Sequence, residues 1–147
     1  MKNYSELQRN KHSVGQNSYH LIWSPKFRRH VLKPTAINRA CEGVLRMIAL
    51  QNGFEIYEIK VMSDHIHLFV ELPPTISVCK ALQLFKGISS RVMRRNFKWL
   101  RGQYPDGHMW SPGKFFRSVG SVTARVIEHY IKHSNNNYKY FQNVEGG

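Results

Sequence analysis

Acidic side chains are scarce in this chain. Nine Asp and Glu in 147 residues stand against 22 Lys and Arg, leaving a formal charge of +13 before the eight His are counted. A soluble small-molecule enzyme has hardly any use for such a surplus. A polyanion is the natural partner, the phosphate backbone of nucleic acid first and an anionic membrane surface second. Cysteine is nearly absent: Cys41 and Cys79 are the two copies, and they lie in apolar-periodic stretches rather than in a CxxC pair. That excludes a disulfide framework, and both read as buried thiols. No apolar run approaches the roughly 20 residues of a membrane span, and MKNYSELQRN lacks the apolar segment of a secretion signal, so the expectation is a soluble, cytoplasmic protein. Internal repeats are missing as well. What the chain does have is core material, with 41% apolar and 12% aromatic residues, too much for a disordered basic tail. Its length suits one domain, so the charge is displayed on a folded body.

Residues 1–18 read as a flexible basic leader, 19–137 as the single domain and 138–147 as a tail. Tyr19, Leu21 and Trp23 alternate with His20, Ile22 and Ser24, the period of a strand, which Pro25 closes before the basic run KFRRH. From Pro34-Thr35, Ile37, Ala40, Cys41, Val44, Leu45 and Ile48 recur at helical spacing until Asn52-Gly53. Phe54 to Val61 is a second strand, and the turn at Ser63-Asp64 leads tightly into HIHLFVEL, so these two strands should form an antiparallel hairpin. In that third strand Ile66, Leu68 and Val70 take one face, His65, His67, Phe69 and Glu71 the other, and Pro73-Pro74 ends it. Ser77 can cap a long basic helix carrying Val78, Ala81, Leu82, Phe85, Ile88 and Val92. WLRGQYPDG reads as a loop, HMWSPGKFFRSVG as a strand interrupted at Pro112-Gly113, and Thr123 as the cap of a last helix holding Val126, Ile127, Tyr130 and Ile131. The predicted class is α+β: a ferredoxin-like, RRM-like β-α-β-β-α-β core, one antiparallel sheet with helices on one face, plus a C-terminal helix carrying Tyr130. Such a sheet leaves its other face for a site.

His65 and His67, two apart on a strand, leave one face with Cβ atoms roughly 6–7 Å apart. Both imidazoles can reach one divalent ion, and such an ion can polarise a phosphoryl oxygen. A further ligand is required, and Asp64 is the nearest acidic candidate. The bland alternative is an ordinary pair of strand histidines. Tyr130, one of seven tyrosines, reads blandly as an amphipathic core or interface residue and functionally as a nucleophile. A phenolate attacking phosphorus gives a covalent phosphotyrosine that conserves the energy of the broken phosphodiester for rejoining. His133 and Ser134 follow it on roughly the same helix face.

The basic groups fall into two clusters: Lys26, Arg28 and Arg29 after the first strand, and Lys86, Arg91, Arg94, Arg95 and Lys98 along the second helix. Phosphate neutralisation is their use. Phe27, Tyr104, Trp110, Phe115 and Phe116 are interleaved with them; aromatics there can stack on unpaired bases, several must be core, and none is singled out.

Taken together, YHLIWSPKFRRHVL, VMSDHIHLFVELPP, FKGISSRVMR, MWSPGKFFRSVG and VIEHYIKHS resemble the single-tyrosine HUH transposases, which mobilise the smallest bacterial and archaeal insertion sequences as single-stranded DNA. The resemblance runs from about Tyr19 to Ser134. It implies that His65 and His67 are the HUH metal ligands for Mg²⁺ or Mn²⁺, and that Tyr130 is the nucleophile, leaving a 5′-phosphotyrosine and a free 3′-OH. It further implies an RRM-like fold, an obligate homodimer with composite active sites, and a single-stranded substrate with a hairpin near the element's end. The hairpin phosphates are placed against Arg28, Arg29, Lys86 and Arg91. This chain departs from the family at Ser134, where the family usually has Gln as a third metal ligand; His133, Asn135, Asp64 or a water can substitute, or the copy binds DNA without cutting it. A second registry, Tyr138 with Gln142, ranks lower because the Asn-rich stretch before it is a poor helix interior. The competing classes are a non-cleaving DNA-hairpin binder, an RRM-like RNA-binding protein and a metal-free phosphoesterase using two His as acid and base. An RRM would place aromatics where this strand has His, and acid–base work usually wants the two His on separate strands.

Overall fold

The structure, a computed structural model, describes residues 17–113 and 115–119. Strand β1 is Ser18–Trp23, helix α1 Thr35–Asn52, β2 Glu55–Val61, β3 Ile66–Glu71, α2 Val78–Asn96, α3 Lys98–Gln103 and β4 Phe115–Ser118, with one 3-10 turn at Lys26–Arg28. The sheet runs in the order β2-β3-β1-β4 with every neighbour antiparallel. This is the arrangement expected of a β-α-β-β-α-β core.

Both main helices begin and end where the local chemistry directs. Gly53 takes the left-handed φ of 71° that closes α1, and the Ser77 side chain accepts a 3.1 Å bond from the Lys80 amide at the start of α2. Their apolar stripes, Ile37, Cys41, Leu45 and Ile48 from α1 and Val78, Ala81, Leu82 and Phe85 from α2, meet Leu21, Trp23, Ile66, Leu68 and Val70 in one core. Since Leu21 opposes Leu68 and Trp23 opposes Ile66 across β1 and β3, both helices cover the same face. On β2 the register slips between Ile56 and Glu58, a bulge that brings Ile56 and Ile59, three apart, to the same core side.

Three details differ from the sequence reading. WLRGQYPDG is not all loop, because α3 occupies its first part. Leu100 is buried there, and the Arg101 guanidinium donates 2.9 Å bonds to the Arg94 and Arg95 carbonyls at the end of α2, so anchoring to the core and to α2 outweighs the Gly102 signal. Cys41 is buried, and burial pushes its thiol up to about 12, but Cys79 is only half-buried. Order is also present at Asn17, whose side-chain amide donates to the Leu72, Pro73 and Ile76 carbonyls. No helix among the described residues is long and apolar enough to cross a membrane.

Candidate metal and nucleic-acid site

The sheet face turned away from the helices carries the histidines. β3 is central, so alternation sends His67, Phe69 and Glu71 to that face, with His65 one step before the strand. Its turn is closed by the Met62 amide bonding the His65 carbonyl at 2.9 Å. The His65 Nδ1 lies 3.0 Å from Asp64 Oδ1; a carboxylate accepts, so Nδ1 carries the proton and Nε2 keeps its lone pair. Asp64 in turn holds Arg28 at 3.4 Å. Burial alone would raise the Asp64 carboxyl, but its bond to His65 and the charges of His65, Arg28 and His30 hold it below its ordinary value.

The residue the sequence reading missed is His20. From β1, its Nδ1 shares a 3.3 Å hydrogen bond with His67 Nε2, and its ring packs edge-on against Phe69 at 4.8 Å. Tyr57 continues the row, with its ring against Phe69 and its hydroxyl donating a 2.6 Å bond to Glu71, which also accepts from Ser18. His20 was visible as the alternate of Leu21, but only the β1–β3 register brings it to His67. The expected open face is therefore closed over its centre: His20, His67 and Phe69 are buried.

Burial keeps these imidazoles neutral. It pushes His20 down to about 2, helped by His67 and Arg117, and His67 down to about 4, helped by His65 and Lys60. Burial also lowers His65, partly offset by Asp64. A neutral imidazole is what a metal ion binds. Among the described residues, however, no group of three His, Cys, Asp or Glu side chains is spaced to hold an ion, so the two imidazoles fit a metal only with ligands supplied from elsewhere.

A stability consequence follows. Unfolded, His20 and His67 take protons near 6.5; folded, only near 2 and 4. Below pH 6.5 the unfolded chain therefore binds more protons, and stability present above that pH is lost as pH falls toward 4. In metal-free protein, urea unfolding at pH about 4.5 is expected to show a loss on the order of 2 kcal/mol for each histidine relative to pH about 7. An unchanged midpoint would mean that the imidazoles are not buried neutral.

The cations divide by what they touch. Lys26, Lys86, Arg91 and Arg94 line one groove of about 650 Å³ together with His108 and Trp110. Lys86 donates to the Ser111 and Gly113 carbonyls, Arg94 to the Tyr104 carbonyl, and Lys26 pairs with Asp106 at 3.0 Å. Three of the four are thus positioned by the fold, while Arg91 is exposed. Arg28 and Arg29 lie beyond Lys26 on the same turn, and Arg95 and Lys98 are exposed near the end of α2. Of the interleaved aromatics, Tyr104 and Trp110 are core, the latter donating to Ser89 at 2.9 Å, whereas Phe27, Phe115 and Phe116 are exposed. Tyr130, His133, Ser134, Asn135 and Tyr138 lie outside the described residues.

The chain is similar to several known proteins. The family described as transposase IS200 like matches residues 13–134. The ISDra2 transposase TnpA of Deinococcus radiodurans is 32% identical over 130 residues, covering 86% of this chain and 90% of that one. The transposase for insertion sequence element IS200 of Salmonella typhimurium is 33% identical over 122 residues, covering 83% and 79%. Among solved structures, a transposase candidate from Deinococcus radiodurans R1 superposes with a TM-score of 0.64 at 33% identity, covering 79% of this chain and 88% of that one. A REP-associated tyrosine transposase bound to a REP hairpin shares the fold, with a TM-score of 0.57 at 14% identity, covering 93% and 72%.

Proposed function

The chain belongs to the IS200-like transposases, and from that premise we propose that it cleaves and rejoins single-stranded DNA at insertion-sequence ends by tyrosine transesterification. Tyr130 is the nucleophile: its phenolic oxygen bonds to phosphorus, the 3′-oxygen leaves with a proton, and the product is a 5′-phosphotyrosine with a free 3′-OH. Rejoining is the reverse attack by a 3′-OH, which returns the tyrosine. His65 and His67, with further ligands from outside the described residues, would hold Mg²⁺ or Mn²⁺, and the ion would supply charge neutralisation at the phosphoryl oxygen. Asp64 accepts a hydrogen bond from the His65 Nδ1–H, fixing the tautomer whose Nε2 keeps its lone pair, the role a carboxylate plays behind a ligating histidine.

The observation that carries this reading is that the family match takes in residues 13–134, and hence the His65–His67 pair together with Tyr130. The buried, neutral state of both imidazoles supports it, because two protonated imidazoles would repel a cation. The groove of Lys26, Lys86, Arg91 and Arg94, with Arg28, Arg29 and Arg95 near it, is the phosphate-binding surface. The substrate is single-stranded DNA carrying a hairpin, as a hairpin is what the REP-associated protein of the same fold binds. The working species is a homodimer whose active sites draw on both copies, the tyrosine segment of one meeting the histidines of its partner.

The deciding experiment incubates the full chain with labelled single-stranded DNA from its own element's ends and Mg²⁺ or Mn²⁺, then looks on a denaturing gel for a covalent protein–DNA band. A band mapping to Tyr130 supports the mechanism and shows that Ser134 is no obstacle. Tight, metal-independent binding without a band would indicate a relative that binds DNA and does not cut it. Affinity should also fall steeply with salt: about five phosphate contacts give a log–log slope of about −3.5, roughly a hundred-fold between about 50 and 200 mM. A flat response would show that the basic groove does not meet phosphate.

A further inference from the structure

Phe27 is the anomaly among the aromatic residues. Its ring is 77% exposed, although it follows directly on the buried Pro25 and a tied-down Lys26. Its backbone is left-handed at φ 64°, and so is that of Arg28 at φ 51°. Two consecutive non-glycine residues in that region are unfavourable and persist only where the surroundings over-determine them. Here they do. The Lys26 amide bonds the Met109 carbonyl and the Arg28 amide the Pro25 carbonyl, both at 2.9 Å, and the Tyr104 hydroxyl donates to the Lys26 carbonyl at 3.1 Å. Strain spent on holding an apolar ring in water has no packing rationale.

The surroundings show what the ring is held for. The Arg29 guanidinium lies 4.9 Å from the Phe27 centroid and 5.6 Å from that of Tyr104. It is fixed there by a 2.9 Å bond to the Gln103 carbonyl and one of 3.4 Å to its side-chain oxygen. One face of the ring is thus backed by an immobilised cation, and the other is open. The next residue, Arg28, pairs with Asp64, which holds His65. A flat, exposed apolar surface with Arg29 on one face and Arg28 next in the chain, two side-chain contacts from the metal candidate, has the chemistry of a nucleobase seat.

We propose that Phe27 is a stacking platform for one unpaired base of the DNA strand, next to the His65 end of the site. The inference rests on the single-stranded DNA reading above and adds to it a base-binding position. The base stacks on the open face, and Arg28 and Arg29 lie where the phosphates flanking it run. Because every base has a π-face, the platform holds a strand in place without selecting its sequence. Phe115 and Phe116 are exposed as well, but Phe116 packs edge-on against Tyr19 and the Phe115 ring folds back over Gly113.

The test measures binding of the full chain to a fluorescein-labelled thymidine homopolymer of about 12 nucleotides by anisotropy. A strand of the same length and charge with abasic sugars is measured beside it. Phe27→Ala is expected to weaken homopolymer binding roughly ten-fold, Phe27→Tyr to stay within about two-fold of wild type, and the abasic strand to bind wild type and Phe27→Ala alike. Equal melting temperatures for wild type and Phe27→Ala establish that the fold is retained. Unchanged homopolymer affinity in Phe27→Ala, with wild type still forming the covalent band, would overturn the stacking role and leave the transposase mechanism standing. Equal losses on both strands would assign Phe27 to backbone contact and also overturn it. Failure of wild type to bind either strand would overturn the stacking platform, while the covalent band on DNA from the element's own ends decides the transposase reading separately.

Discussion

Tyr130→Phe is expected to abolish the covalent protein–DNA species altogether while leaving hairpin affinity within about two-fold of wild type. The substitution removes one oxygen, the atom that bonds to phosphorus in the proposed mechanism, and keeps the aromatic ring. Without that oxygen no phosphotyrosine can form at this residue, so the expected loss is complete rather than partial. The measurement pairs a denaturing gel with a binding isotherm on the same preparation. Persisting adduct would move the nucleophile to another tyrosine, Tyr138 with Gln142 four residues later being the next in line. Loss of adduct together with loss of binding would instead mean that the substitution had damaged the fold.

The second large effect belongs to the histidine pair. Replacing both His65 and His67 by Ala is expected to remove the divalent-metal dependence of cleavage and to lower its rate by roughly a thousand-fold or more, since charge neutralisation on phosphorus supplies several kcal/mol. Binding through the basic groove, which uses neither residue, should persist. Because His67 is buried and bonded to His20, the double substitution also leaves a hole in the sheet face, and a melting curve must accompany the kinetics. Cleavage that remains equally metal-dependent would sink the metal-site reading. Cleavage lost in a variant that melts and binds DNA as wild type does would support it.

Much of the architecture was legible beforehand because its signals are local. The periods of Tyr19 to Trp23, of Ile66 to Val70 and of the α1 and α2 stripes, the Gly53 stop and the Ser77 cap each depend on a few neighbouring residues, and each reappears in the structure. The short helix α3 did not announce itself, since its stability comes from Leu100 in the core and from Arg101 bonded to the end of α2. The histidine pair was likewise legible, as two His at strand spacing need no tertiary information to share a face. Asp64 was read as a possible ligand, and the fold turns it instead to His65 Nδ1 and Arg28.

The sequence by itself determined the order of the four strands and the two long helices, the surplus of positive charge and the pairing of His65 with His67 on one strand face, because periodicity, net charge and side-chain chemistry are properties of short stretches or of the whole composition. Tertiary structure alone decided the rest. The strand order β2-β3-β1-β4 set His20 against His67, and packing of residues 104 and 110 into the core separated buried aromatics from the exposed Phe27. It also gathered Lys26 and the α2 cations, some sixty residues apart in the chain, into one groove. The physical reason is common to all of these. Register, burial and charge convergence arise from contacts between segments distant in sequence, and no local pattern encodes which segments will meet.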